Sequence, residues 1–252
     1  MKSTLQQMMN KEAYSYIQRL FLKGRITIDH INITAKRLIL YISGLFFLSL
    51  GVSFSIQANL GVSPVSSLAY AFTLSAGISI GLMTIAANIL FITLQIILSK
   101  KFNLREAIVQ LMITFLFGFM MDFTLFLVQI LPAPETWIMR FVFLAISLFV
   151  VSVGLLGYFS AKFPLMPYDE LTHVISEKFN MQFSKAKVTS DLLNVAAAGL
   201  ISILFIQSLG SIGIGTLIAA YFIGKIVGWM MKKYQHHLID WSGQRKAIAE
   251  EV

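Results

Sequence analysis

Residues 38–58, LILYISGLFFLSLGVSFSIQA, form an apolar run without a charged side chain. A helix needs about 20 mostly apolar residues to cross the hydrocarbon core of a bilayer. Five more stretches meet this requirement, at residues 80–99, 107–131, 137–160, 186–207 and 212–232. The sequence therefore predicts an all-α polytopic membrane protein with six transmembrane helices.

The composition also indicates a membrane protein. Of the 252 residues, 57% are hydrophobic and only 13% are charged, whereas a soluble domain typically has about 25% charged residues. This difference excludes an ordinary soluble enzyme and a disordered chain. Because the chain has no cysteine, disulfides, thiolate metal sites and cysteine nucleophiles are excluded as well.

The basic residues mark alternate connections between the apolar runs. Lysine and arginine lie before the first run, between the second and third, after the fourth and after the sixth, whereas residues 59–79, 131–136 and 208–211 have none. Basic residues mark cytoplasmic loops, so the pattern predicts six crossings with both termini in the cytoplasm. Arg140, at the outer edge of the fourth run, is a mild exception. The net charge of +8 follows from this topology and from contact with anionic lipid, and no nucleic-acid partner is expected.

The two ends of the chain are predicted to be cytoplasmic segments. Within residues 1–37, apolar side chains recur at near-helical spacing between polar ones: Leu5, Met9, Tyr16 and Leu20. This spacing predicts an amphipathic helix on the inner membrane surface. Residues 25–33 alternate in character and favour an extended elbow, and residues 235–252 are expected to form an interfacial and then frayed tail.

The chain also contains a predicted internal duplication. A shift of 103 positions aligns the long-loop regions without a gap, and the matches include three pairs of special residues: Gly51 with Gly154, Pro64 with Pro167, and Asn88 with Asp191. The two membrane repeats are residues 38–131 and 132–234. Each has three spans, so the second must enter the membrane inverted with respect to the first. Inverted repeats are typical of transporters, whose site lies near the midplane where the halves meet.

Each repeat has a long connection after its first span, at residues 59–79 and 161–185. In both, a turn leads to a proline and then to a helical segment of about ten residues, and proline is favoured at the first helical position. One interpretation is a half-helix that enters the membrane or a crevice between spans, where protein or a water-filled cavity must cover its irregular backbone. The alternative is an interfacial helix on the surface, and Asp169 and Glu170 keep both open for the second segment.

The motifs around the first connection resemble a known family. They are ANLGVSPVSSL at residues 58–68, GISIGL at 77–82, and the pair Gly118-x-x-x-Asp122. This pattern resembles the YczE/YyaS/YitT family of bacterial integral membrane proteins, and the likeness covers about residues 40–232. It implies a location in the bacterial cytoplasmic membrane and a polytopic helical fold. The family has no settled activity, so the resemblance implies no substrate.

Ionisable and amide side chains inside the spans are the first functional candidates, because they are costly in a membrane. Asp191 lies in the fifth span with Asn194 three residues later on the same face, and Asn88 occupies the matching place in the second span. This set could bind Na⁺, a proton or a cationic group. The alternative is that Asp191 forms a structural pair with Lys225 in the sixth span.

Further candidates lie near the predicted half-helices and span ends. The starts of the half-helices, at Pro64, Ser66 and Pro167, could line the same midplane site because helix N-termini carry partial positive charge. Asp122 is a weaker candidate, since a carboxylate near the outer boundary costs little. Asp169, with Glu170 and His173, could form a proton-responsive gate at the inner mouth or simply a solvated helix face. Lys225 could belong to the site or extend along its stem to the interface.

No motif for catalysis, metal binding or a cofactor is present. The patterns G-x-x-x-x-G-K-[ST], H-E-x-x-H and G-x-S-x-G are missing, so the chain is not expected to be an enzyme or to hold a cofactor. The first hypothesis is a transporter or channel for a small solute or monovalent ion, with a midplane site between inverted repeats. The second is a non-transporting membrane scaffold or regulator, and the oligomeric state stays open. A transporter needs Asn88 and Asp191 at a hydrated cavity, which a scaffold does not.

Overall fold

The structure, a computed structural model, describes residues 32–243. Within this range the chain forms eight α-helices and no strand: α1 Asn32–Ala58, α2 Pro64–Ala76, α3 Ile80–Ser99, α4 Leu104–Gln129, α5 Trp137–Ser160, α6 Pro167–Lys178, α7 Phe183–Ile206 and α8 Ile214–Trp241. All except α2 and α6 are long and apolar enough to cross a membrane. The predictions of an all-α fold and of six spans are confirmed, and such spans imply a lipid environment.

The ends of two spans differ from those predicted. Asn32 and Ile33, expected in an extended elbow, are the first residues of α1. The last span continues as a helix to Trp241 because neither glycine nor proline occurs between residues 232 and 241, and it ends before Gly243, which has a positive φ of 76°. The predicted amphipathic helix, most of the elbow and the last part of the tail lie outside the described residues.

The helices α1 and α5 touch along their backbones. A Cβ atom added to Gly44 would lie 2.9 Å from the carbonyl oxygen of Gly154, and one added to Gly154 would lie 2.8 Å from the carbonyl oxygen of Gly44. Small residues permit this close approach between membrane helices, where van der Waals packing provides the attraction. The two first spans of the predicted repeats therefore meet directly.

A second close pair is formed by α3 and α4. A Cβ atom added to Gly118 would lie 2.8 Å from the carbonyl oxygen of Gly81. In contrast, α7 and α8 make few contacts although a short connection joins them.

The short helices lie between the long ones. Both α2 and α6 contact α3 and α7, and each has its proline at the start, as predicted. The start of α2 lies at the middle of α7, where the Asn194 amide donates to the carbonyl oxygens of Pro64 (2.6 Å) and Val65 (3.1 Å). The start of α2 is thus inside the bundle, at half the length of a span.

Several helix ends meet at one end of the bundle, which we call the basic end because Lys36, Arg37, Lys162 and Lys178 lie there. Arg37 donates to the carbonyl oxygens of Ala161 (3.0 Å) and Lys162 (2.7 Å) at the end of α5. Lys36 and Lys178 donate to carbonyl oxygens near the ends of α8 and α3, respectively. Cations stabilise helix C-termini, whose last carbonyl groups have no partner within the helix.

Candidate functional site

The starts of both short helices meet at an internal cavity, which we call the central cavity. It has a volume of about 40 Å³. One water molecule needs about 10–15 Å³ by this measure, so the space suits a few waters or one small ion. Its polar lining comes from three helices: Ser66 of α2, Thr84 and Asn88 of α3, and Tyr168 and Asp169 of α6. Apolar side chains of α4 complete the wall.

Asn88 is the most informative side chain of this lining. It is only 4% exposed, yet it forms no hydrogen bond with any other residue that the structure describes. An amide has two N–H donors and an acceptor oxygen, and a buried polar group without a partner costs about 1–3 kcal/mol. Thr84, one helical turn earlier, is also buried and faces the same cavity. The cavity therefore presents a hydroxyl and a free amide to whatever occupies it.

Two carboxylates lie beside the cavity and share one ammonium group. The Lys187 Nζ atom is 3.5 Å from Oδ1 of Asp169 and 3.5 Å from Oδ1 of Asp191. It also lies 4.2 Å from the centre of the Tyr168 ring, which adds a cation–π contact. This group of four side chains joins α6 to α7, and two carboxylates against one ammonium leave it with a net negative charge.

Two tyrosines complete this network. The Tyr168 hydroxyl donates to Oδ1 of Asp191 at 2.5 Å. The Tyr158 hydroxyl of α5 donates to Oδ2 of Asp169 at 3.3 Å and accepts from the Met166 amide at 2.6 Å. Burial raises the pKa of Tyr168, and the negative charge of Asp191 raises that pKa further. Tyr168 therefore stays protonated and keeps its role as a donor.

The structure brings some predicted site residues together. Ser66, Asn88 and Asp169 line the central cavity, and the helices that start at Pro64 and Pro167 both begin there. Two more residues lie just behind the lining. Asp191 is reached through Tyr168, and Asn194 holds the start of α2 through the hydrogen bonds given above.

Asp122 and Lys225 lie elsewhere. Asp122 accepts from the Gly81 amide (2.7 Å) and from the Ser79 hydroxyl (2.8 Å) at the start of α3, so it stabilises a helix end. Lys225 is exposed on α8, where it contacts the Tyr221 hydroxyl and ring.

The alternative interpretation, in which Asp191 forms a structural pair with Lys225, is wrong. Asp191 pairs instead with Lys187, one turn earlier on the same helix. The physical reason is that α7 and α8 make few contacts.

Reasoning from the sequence missed Tyr158, Tyr168 and Lys187 as partners of the carboxylates. Lys187 had a usable signal, because side chains four residues apart on a helix face each other. Nothing in the sequence indicates the two tyrosines, since their contacts depend on how α5, α6 and α7 meet.

Together, the six spans, the two short helices between them and the polar cavity at their junction define a polytopic helical membrane protein. The chain belongs to the family of unknown function DUF6198, whose model matches residues 35–232. It is similar to the uncharacterized protein YyaS of Bacillus subtilis strain 168, with 27% identity over 199 residues that cover 78% of this chain and 93% of that protein. The resemblance to the YyaS type of family is thereby confirmed. No solved structure matches the chain.

Proposed function

We propose that this protein transports a small solute or a monovalent ion across the bacterial cytoplasmic membrane, with both chain termini in the cytoplasm, and that the transported species binds in the central cavity. One observation carries the proposal: the buried amide of Asn88, without a protein partner among the described residues, faces a cavity where both short helices begin. Because burial without a hydrogen bond is unfavourable, this amide requires a water molecule or a ligand in the cavity as its partner. A binding site uses such a group to hold its ligand.

The depth of the cavity supports this function. With a rise of 1.5 Å per residue, Asn88 lies about 12 Å from the start of α3 and about 16 Å from its end. The cavity is therefore near the middle of this span. Transporters built from inverted repeats bind their substrates at this depth, between discontinuous helices.

The proposal includes two inverted halves, and reciprocal contacts between α1 and α5 support them. A Cβ atom added to Gly51 would lie 2.6 Å from the Val151 amide nitrogen, and one added to Gly154 would lie 2.8 Å from the Leu48 Cα atom. The 103-residue shift converts Gly51 into Gly154 and Leu48 into Val151. Each contact is thus the image of the other, as expected around a twofold axis.

A second pair of reciprocal contacts involves the short helices. Asn194 of α7 bonds to the carbonyl oxygen of Val65 in α2, and the Phe91 ring of α3 lies 5.2 Å from the Tyr168 ring of α6. The same shift relates Val65 to Tyr168 and Phe91 to Asn194. Each short helix therefore contacts the middle span of the other half.

The charges beside the cavity differ between the starts of the two short helices. The first turn of α6 contains Asp169 and Glu170, which offset the positive end of its helix dipole, whereas the first turn of α2 has no acidic residue and no side-chain cap. A cationic group would bind beside Asp169, and an electronegative group beside the start of α2. Such an arrangement suits one monovalent ion or a small polar solute, carried by alternating access or through a gated pore.

Uptake by proteoliposomes tests the function. The panel contains Na⁺, K⁺, H⁺, Cl⁻ and small organic ions and polar solutes, and the variants are Asn88→Leu and Thr84→Val. Thr93→Val is the matched control, since Thr93 is exposed on the same helix and bonds only to its own backbone. We expect Asn88→Leu to lose most flux of the transported species, Thr84→Val to lose part of it, and the control to keep it. Absence of flux for every species, or equal flux in Asn88→Leu, would contradict the proposal.

One observation favours the second candidate function, a membrane scaffold or regulator. Cβ atoms added to Gly224 and Gly228 of α8 would meet nothing within 4 Å among the described residues. Small residues at this spacing commonly form contacts between membrane helices, so this face could receive another helix. A protein that carries no flux but gains a partner on this face would have that function.

A further inference from the structure

The basic end of the bundle contains a second set of cavities, separate from the central cavity. Two adjoining spaces of about 580 and 200 Å³ share four lining residues: Asn103, Glu106, Gln110 and Glu170. We call them together the vestibule. Its walls come from α4, α6 and the connections before these helices, with α3 on the smaller side. A volume of several hundred Å³ is the usual size of a pocket for a small organic ligand.

Gln110 indicates that the vestibule is built to hold a ligand. Its side chain is 5% exposed and lines both spaces, but it forms no hydrogen bond with any residue between 32 and 243. Gln95, on the α3 wall, has a buried Oε1 atom that also lacks a partner in this part of the chain. Two amides on neighbouring walls thus have hydrogen-bonding capacity that no described protein group uses.

The charge of the vestibule favours a positive ligand. Three carboxylates line it, those of Glu106, Glu170 and Glu177, against two basic side chains, Lys101 and Arg105. Glu170 is the least exposed of the three carboxylates. When several carboxylates lie close together, a nearby positive charge stabilises their ionised form.

The pKa of Glu170 agrees with this charge arrangement. Burial raises this pKa, and the negative charges of Glu106, Glu177 and Asp169 raise it further, while His173 opposes the shift. The basic side chains Arg105 and Lys101 line the larger and the smaller space, respectively, together with this carboxylate.

We propose that the vestibule binds a small organic ammonium ion, whose N–H groups donate to the Glu170 carboxylate and to the Gln110 amide oxygen. A divalent metal ion is a poorer fit, because it requires several converging oxygen ligands and the described residues hold no group of three or more His, Asp or Glu side chains that could bind a metal. The walls also contain apolar side chains, including Val109, Leu165 and Val174, which would contact the carbon atoms of the ligand. This site goes beyond the proposed function, since binding here requires no transport.

Equilibrium binding of three matched probes tests the site. Butylammonium, butyrate and 1-butanol have the same carbon chain and differ in charge, and saturation-transfer NMR with the full-length protein in nanodiscs, corrected with empty nanodiscs, compares them. We expect saturation of the butylammonium signal only. Equal or stronger saturation of butyrate or butanol would overturn the proposal, and this comparison needs no variant.

Two variants and one control locate the binding. We expect Glu170→Gln and Gln110→Leu to weaken butylammonium binding by about tenfold or more, since charge-assisted hydrogen bonds are the strong ones. Glu135→Gln is the control, because Glu135 is an exposed carboxylate in the α4–α5 connection and its loss should change nothing. Unchanged binding in folded Glu170→Gln protein would overturn the proposal. Because no gradient is applied, failure of transport and failure of this site give different results.

Discussion

The Tyr168 hydroxyl donates to the Asp191 carboxylate at 2.5 Å, across the junction between the second short helix and the fifth span. This contact connects the lining of the central cavity to a charged network behind it, because Tyr168 lines the cavity and Asp191 also pairs with Lys187. A ligand that displaces the Tyr168 ring would therefore change the contacts among the Asp169 and Asp191 carboxylates and the Lys187 ammonium group. Asp169 provides a second connection, because it lines the cavity and pairs with Lys187 as well.

We predict that Tyr168→Phe lowers the free energy of unfolding by about 1–3 kcal/mol, because the variant leaves the Asp191 carboxylate with one partner fewer. Thermal unfolding in detergent measures the change. Tyr221→Phe is the matched control, since Tyr221 is exposed and bonds only to the exposed Lys225. If the two substitutions lowered the free energy of unfolding equally, the hydrogen bond from Tyr168 to Asp191 would not be a source of stability.

Gly154 of α5 and Gly224 of α8 should respond in opposite directions to substitution by alanine. Gly154→Ala places a methyl group 2.8 Å from the Gly44 carbonyl oxygen, and overpacking of this kind costs about 1–3 kcal/mol. Gly224→Ala meets no described atom, so it should stabilise α8 by up to about 1 kcal/mol through helix propensity. Chemical denaturation of both variants checks the prediction, and destabilisation by Gly224→Ala would mean that another helix covers that face.

Asp122→Ala should lower stability without abolishing transport. Its carboxylate accepts from the amide of Gly81 and the hydroxyl of Ser79, and loss of a cap at a helix start costs about 0.5–2 kcal/mol. Because Asp122 lies outside the central cavity lining, flux per folded molecule should match that of the wild type. If the variant folded but lost flux, Asp122 would belong to the proposed transport site.

Stability should depend on pH through Glu170. The pKa of this carboxyl is raised in the folded protein, mainly by burial, so the folded state holds the proton more tightly than the unfolded chain. The stability from this group is complete below the ordinary pKa of glutamate and is lost as the pH rises through the raised pKa. The melting temperature of the wild type should therefore fall more steeply over that range than that of Glu170→Gln, measured in the same detergent. Parallel curves for the two proteins would contradict the assignment.

Much of the fold was predictable because it depends on local properties of the chain. The spans follow from runs of apolar residues, and the starts of α2 and α6 follow from Pro64 and Pro167, which fit the first position of a helix. The end of α8 was misjudged, because a polar composition after residue 232 indicated a tail although no residue there stops a helix. Length and hydropathy determine which helices can span, but not where a helix leaves the membrane.

The candidate site was predictable only in part. Asn88 was identified from its polarity inside an apolar run, and the structure places it in a cavity. Asp191 was identified in the same way, but its partners come from helices that are neighbours only after folding. The sequence shows which polar residues lie within a span, where their burial is unfavourable. Which group becomes the partner of such a residue depends on how the helices pack.

By itself the sequence determined the helical class, the number of candidate spans and the positions of the two short helices, since these depend on composition and spacing along one chain. Only the tertiary structure decided that Lys187 rather than Lys225 pairs with Asp191, that Asp122 caps a helix, and that Asn88 faces a cavity without a described partner. The physical reason is the packing of helices: the glycines of α3 and α4 allow a close approach, whereas α7 and α8 make few contacts. Distances between helices, not residue types, select which polar groups meet.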